Sequence, residues 1–457
     1  MTKKNFLFFF SVLYLIMAFL GLFFIEISNV EVVIFIISNS AITFFLLLKV
    51  DVKKESLFFI ITYFSFFFIY VLKAVVIPAT GLNSTYVYTT IRVFIDEHAY
   101  VQSLWVILAA HFILVLLLSL YDYVNEQNVR FHVKPYIANG PATSLCYFSA
   151  VLISVSAIVM QYYGVGVMGS EGVSLPYGLS GLLYYSRTIF IPIILIYILE
   201  LSICKKNKKI FRLALVVFFL LAISEIIVRA SKSPLLNLAL YLFVLYLILY
   251  FRGTDTSQTL SRKLIIWVFI LSVVMFPIVT IYRIVLVNTS YVTSISGEIS
   301  SSFSGGGLVI STISSFFHRL LGFTQLAGIV AMGVEVQDFN AFFEYGSVAN
   351  YYTKEVLRFS MSGHASSPSL LGASLLLGGD MWFVLVVIHY CLLMLIWSLS
   401  SKLKHFEVSL KCFLAFEILN STMAGTVDDS IYRLTLVCAF LIIVEFLFNV
   451  SKKKLRS

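Results

Sequence analysis

Residues 211–251 read FRLALVVFFLLAISEIIVRASKSPLLNLALYLFVLYLILYF. Two apolar runs, 211–229 and 234–251, lie either side of a short polar step that ends at Pro234. Each is close to the roughly 20 apolar residues needed to cross about 30 Å of hydrocarbon. Lipid offers the backbone no hydrogen-bond partner, so a crossing segment is a helix or a strand of a closed barrel. Barrel strands alternate apolar and polar residues. These runs do not alternate, so they read as helices, with Pro234 opening the second one.

The same pattern fills most of the 457 residues. Hydrophobic residues make up 60% and charged residues 12%, and the mean hydropathy of +0.97 excludes a soluble domain of this length. Twelve spans are expected, at about 6–25, 31–50, 56–78, 99–121, 142–163, 181–203, 211–229, 234–251, 264–287, 371–400, 408–423 and 432–450. The fold class is therefore all-α, a polytopic membrane protein. Lys3-Lys4 followed by a long apolar run without a small-x-small step reads as an uncleaved first helix rather than a signal peptide. The five cysteines fall in or at the ends of spans without zinc or CxxC spacing, which speaks against a metal or disulfide framework.

The net charge of +9 is a topology signal rather than a nucleic-acid one. With both termini in the cytoplasm, 22 of the 32 Lys and Arg residues fall in cytoplasmic loops and tails, as the positive-inside rule asks. Lysine follows topology, with 17 of 20 inside, but seven of the 12 arginines lie outside or at the outer ends of spans. Topology needs only positive charge. An outer excess of Arg points to a task for the guanidinium, whose planar fork binds carboxylate or phosphate and does not deprotonate. The candidates for anion binding are Arg92, Arg187, Arg229, Arg283, Arg319, Arg358 and Arg433, with Lys232. Pairing with nearby acids is the alternative for each. Glu225 and Arg229, four apart, share a helix face and are expected to pair.

The pattern breaks once. Residues 288–370, 83 in all, contain no convincing span, which divides the chain into a bundle over 1–287, a large periplasmic loop over 288–370 and a second bundle with a basic cytoplasmic tail over 371–457. Hydrophobic spacing around 310–332 and 348–357 predicts helices lying on the bundle. Tyr345, Tyr351 and Tyr352 in this loop are candidates for stacking on sugars, though packing accounts for them as well. His364, just before the tenth span, is the first candidate for a base, since a histidine accepts a proton near neutral pH. Asp428 and Asp429, in the last outer loop, are the second. Gly164–Gly169 matches GxGxxG but lacks the strand and βαβ unit of a dinucleotide fold. The run Ser304-Gly305-Gly306-Gly307 lacks the Lys-Ser/Thr of a P-loop, and neither HExxH nor GxSxG occurs, so no nucleotide, metal or other cofactor is expected.

The layout resembles that of bacterial O-antigen polymerases, the Wzy-type oligosaccharide repeat-unit polymerases. The likeness covers the whole chain in span number, cytoplasmic termini and one late periplasmic loop. Locally it rests on Val228–Leu236, Arg319–Gly322, and His364–Gly372 followed by Leu377-Gly378-Gly379. An Arg–Gly spacing found in some members does not fit Arg283 or Arg319, and Ala373 and Ser374 stand where some members carry an acid. The resemblance implies a GT-C-like helical fold in the bacterial inner membrane. It implies a glycosyltransferase acting on undecaprenyl-pyrophosphate-linked oligosaccharide at the periplasmic face, with membrane lipids around it and a chain-length regulator as a partner. On that reading the outer arginines hold the departing pyrophosphate, and His364, Asp428 or Asp429 takes the proton of the acceptor hydroxyl. An O-antigen ligase shares the layout. A flippase or transporter would favour mid-span charge and internal repeats, which this sequence lacks.

Overall fold

A computed structural model describes residues 3–25, 29–49, 57–79, 84–86, 92–94, 96–125, 139–165, 175–229, 231, 233–256, 259–287, 322–333, 348–356, 368–401, 403, 405–424 and 427–454. The chain is a helical, multi-pass membrane protein. In order come α1 (Lys3–Phe24), α2 (Asn29–Lys49), α3 (Leu57–Ala79), α4 (Glu97–Asn125), α5 (Asn139–Tyr163), α6 (Leu179–Cys204), α7 (Lys208–Arg229), α8 (Pro234–Phe251) and α9 (Arg262–Val287). Within the long loop lie α10 (Gly322–Ala331) and the short α11 (Val348–Tyr351), and then follow α12 (Leu370–Gly378), α13 (Trp382–Ser400), α14 (Glu407–Ala424) and α15 (Val427–Lys454). The described strands form one small hairpin, β1 (Ser84–Tyr86) antiparallel to β2 (Arg92–Phe94). Nine helical segments among the described residues are long and apolar enough to cross a membrane: α1 to α8, and α12 with α13 taken together. Helices also occupy the positions of the remaining three expected spans, as α9, α14 and α15.

Local chemistry sets the helix ends. Asp96 caps α4, its Oδ1 accepting from the Ala99 amide at 2.7 Å. Asn207 caps α7 by accepting from the amides of Lys209 and Ile210. Pro234 takes the first helical position of α8, where its missing N–H costs nothing. Two long helices are not regular throughout. Residues Phe67–Leu72 of α3 and Ser186–Phe190 of α6 form π-helical turns. The single expected span 371–400 is broken at Gly379, whose φ of +49° and ψ of −125° admit little but glycine, so α12 and α13 meet at a turn.

α3, α6 and α14 are enclosed by the rest of the bundle, and their buried faces are nearly continuous. Between α1, α2, α3 and α4 a chain of buried polar groups replaces apolar packing. His111 hydrogen-bonds the Asn39 side chain through Nδ1 (2.6 Å) and the Tyr63 hydroxyl through Nε2 (3.1 Å). Tyr63 in turn donates to Thr43 Oγ1 at 2.6 Å, which also meets the Tyr14 hydroxyl at 2.5 Å. Away from water every such group needs a partner, and this chain supplies them from four helices.

The long loop departs from expectation in depth. The sequence spacing predicts helices lying on the bundle, but α10 is enclosed by it, with Gly322 to Ile329 all buried. Ten residues are too few to span a bilayer and fit a buried or re-entrant segment. Its small residues permit the close approach: a Cβ on Gly322 would stand 2.2 Å from Ile69 Cγ2, and one on Gly372 of α12 would stand 2.6 Å from Ile329 Cδ1. Phe323 packs edge-on against Tyr100 of α4. Tyr351 and Tyr352 are buried too, so they are packing residues rather than sugar-facing ones. Tyr352 donates to Gln325 Oε1 at 2.7 Å, and burial holds its hydroxyl well above the usual phenol range.

Candidate functional site

Polar side chains gather where α3, α5, α7 and α14 finish and α4, α6, α12 and α15 begin, here called the distal end. Two centres lie there.

The first is built on Glu225, near the C-terminal end of α7. Its Oε1 accepts from Arg187 Nε at 2.5 Å and its Oε2 from Arg229 Nη1 at 3.1 Å. The pairing expected from the Glu225–Arg229 spacing is present, and Arg187 joins it from α6. The two arginines are differently placed. Arg187 is fully buried, and its remaining donors go to Ile153 O, Ser156 and Ser224. Every arm is committed to α5 or α7, so Arg187 is a strut. Arg229 keeps 26% of its side chain exposed and lays its guanidinium over the Tyr184 ring, 4.7 Å from the centroid. It is the member of the trio placed to meet a ligand.

Arg433 enters from α15. It forks onto Glu417 of α14, Nη2 to Oε1 at 2.6 Å and Nε to Oε2 at 3.1 Å, with both side chains buried. The fork is the bidentate geometry that makes Arg–carboxylate pairs directional. A row of tyrosines links the two arginine centres: Tyr184 meets Tyr185 edge-on at 5.1 Å, and Tyr185 meets Tyr432 at 5.3 Å. Tyr184 interacts electrostatically with both Arg229 and Arg433. Asp429 is exposed one turn before Arg433 and interacts with Arg433 and Tyr185. The buried charges of this centre are matched in sign and held by hydrogen bonds, the condition under which ions survive in a low-dielectric interior.

The second centre lies at the mouth of α10 and α12. Ser369 is buried with a φ of +68° and a ψ of 170°, and its hydroxyl donates to Gly322 O at 3.3 Å. Tyr70 of α3 accepts from the Leu371 amide and donates to Thr422 O of α14. One turn further along α3, Lys73 is only 4% exposed, with Nζ 3.4 Å from Thr324 Oγ1 in the first turn of α10. On α13, His389 meets Ser421 of α14 at 3.2 Å.

Of the residues singled out from sequence, Arg187, Arg229, Arg433 and Asp429 are brought into one neighbourhood. Arg92 opens β2, Arg283 lies in α9 and Asp428 in α15, with side chains outside the described ones. Lys232, Arg319, Arg358 and His364 lie outside the described residues. Sequence reasoning missed Arg187's role as a strut, the partner Glu417 and the whole Lys73–Ser369 centre. One signal links two of these: Arg187 sits within a π-helical turn and Lys73 directly after one, and such turns recur at functional sites. The five cysteines form no disulfide, and among the described residues no three His, Cys, Asp or Glu side chains gather as a metal site would require. No known protein family, curated protein or solved structure matches the chain.

Proposed function

We propose that this chain is an O-antigen polymerase, a glycosyltransferase that joins undecaprenyl-pyrophosphate-linked oligosaccharide repeat units. On this reading twelve spans in a GT-C-like arrangement cross the bacterial inner membrane, both termini are cytoplasmic, and the distal end faces the periplasm. The observation that carries the reading is the convergence of Arg229 and Arg433 on Tyr184, with Glu225 and Glu417 holding the two guanidinium groups. Fixed, preorganised positive charge is what a departing dianion needs. The acceptor sugar hydroxyl attacks the anomeric carbon of the growing chain. The bond from that carbon to the pyrophosphate oxygen breaks, its electron pair leaves with undecaprenyl pyrophosphate, and the hydroxyl proton passes to a base. Asp429 stands beside the arginines, and His364 and Asp428 are the other candidates for that base.

The test is the phenotype of a chromosomal deletion in the source bacterium, read as lipopolysaccharide on a gel. A polymerase deletion leaves core carrying a single repeat. Loss of all capped lipopolysaccharide indicates a ligase instead, and repeat units stranded on the cytoplasmic leaflet indicate a flippase.

A further inference from the structure

We infer that the tyrosine row Tyr184–Tyr185–Tyr432, with Asp429 at its edge, is a carbohydrate-binding surface that seats the sugar next to the pyrophosphate. The inference rests on the function proposed above and adds what that reading does not specify: where the glycan lies and which side chains hold it. In a lipid-linked repeat the first sugar is one glycosidic oxygen away from phosphorus. A site that holds the anion on Arg229 must therefore offer a sugar surface in immediate contact with that residue. Tyr184 is in such contact, with the Arg229 guanidinium 4.7 Å from its ring centroid. From there the rings continue through Tyr185 to Tyr432 at spacings of 5.1 and 5.3 Å.

The row has the chemistry a sugar needs. The C–H faces of a pyranose pack on aromatic rings, and the hydroxyls around its rim need acceptors. Tyr432 is 52% exposed and presents a ring of that kind. Asp429 lies three residues before it on the same helix face and interacts with Tyr185 and Arg433, so a carboxylate flanks the rings. Tyrosines also collect at membrane interfaces as single amphipathic anchors. Tyr162 and Tyr163, at the end of α5, fit that role: Tyr162 is 81% exposed and their ring partners are each other. The Tyr184–Tyr185–Tyr432 row differs, because it joins α6 to α15 and runs between two arginines held by buried carboxylates.

The experiment uses the full chain in lipid nanodiscs and two probes. One is undecaprenyl pyrophosphate. The other is a panel of methyl glycosides of common hexoses, 6-deoxyhexoses and N-acetylhexosamines, followed by saturation-transfer NMR. At least one glycoside is expected to bind the native protein. Tyr432→Ala is expected to weaken it about tenfold, roughly 1.4 kcal/mol, while undecaprenyl pyrophosphate binds as before. Tyr432→Trp is expected to keep the glycoside and Tyr162→Ala to leave both probes unaffected. Arg229→Ala is expected to lose the pyrophosphate lipid. If no glycoside binds the native protein, or Tyr432→Ala binds it unchanged in a correctly folded sample, the surface assignment is overturned. If the glycoside behaves as expected but undecaprenyl pyrophosphate does not bind the native protein, the carbohydrate surface stands and the polymerase reading falls.

Discussion

The hydroxyl of Ser369 donates to the carbonyl oxygen of Gly322 over 3.3 Å, tying the start of α12 to the start of α10 across 47 residues of sequence. The bond is made by a serine held at a φ of +68° and a ψ of 170°, a region almost reserved for glycine and costing a side-chain-bearing residue about 1–3 kcal/mol. The hydrogen bond returns about 1 kcal/mol. Ser369→Gly is therefore expected to unfold at or above the native temperature, and Ser369→Ala, which keeps the strain and loses the bond, below it. Thermal unfolding of detergent-purified protein decides. If the alanine variant is the more stable of the two, this account of Ser369 is wrong.

Two glycines at the same junction should respond differently to one methyl group. At Gly372 the obstacle is Ile329 Cδ1, the tip of a side chain, so Gly372→Ala should cost about 1–3 kcal/mol and be relieved by adding Ile329→Val. At Gly322 a Cβ would also stand 2.9 Å from the backbone oxygen of Ile69. Trimming Ile69 cannot remove that clash, so Gly322→Ala combined with Ile69→Ala should remain destabilised. The comparison is made by unfolding temperature and by protease access to α10.

Glu225 separates stability from activity in the arginine pair. Removing its charge strands the fully buried Arg187, and breaking a buried pair costs about 3–5 kcal/mol. Glu225→Gln and Arg187→Ala should both lower the unfolding temperature, whereas Arg187→Met combined with Glu225→Leu should recover most of it. Arg229→Ala, at a quarter-exposed site, should keep its stability and lose polymer in a complementation assay read as ladder length. Full ladders from Arg229→Ala would remove that residue from the proposed mechanism.

The polar chain of α1 to α4 should behave as a unit. Asn39→Leu leaves His111 Nδ1 without its partner, at a cost of about 1–3 kcal/mol. Once His111→Leu is present, the same change should cost much less. A double-mutant cycle measures this coupling, expected within about 0.5–3 kcal/mol. Strict additivity would show that the chain is not cooperative.

What could be read from the sequence follows from where its physical signals are local. Hydropathy marks helices because burial in lipid acts on each run of twenty residues separately, and the Glu225–Arg229 pair follows from spacing on one helix. The fork between Arg433 and Glu417 joins two helices, so no local spacing marks it. The depth of α10 was hidden for a related reason: Gly322, Ala327 and Gly328 are as consistent with a surface turn as with close packing until their neighbours are known. Tyr351 and Tyr352 were open to both readings, and burial decided for packing. The break at Gly379 was masked by an apolar run that continues through it, and the π-helical turns have no compositional mark.

Those turns make the bundle sensitive to chain length in a way that side-chain chemistry does not convey. An α-helix rotates about 100° per residue, so the residues after Phe67–Leu72 and those after Ser186–Phe190 hold their azimuth only while each wide turn keeps its full complement of residues. Deleting one residue from the first would swing Lys73 about a third of the way around α3, away from Thr324. Deleting one from the second, ahead of Arg187, would carry its guanidinium off Glu225. Substitutions along these segments can be absorbed by repacking. A single-codon deletion changes angular phase, which no neighbouring side chain can restore, and sequences descended from this one should therefore vary in residue type at these turns far more freely than in length.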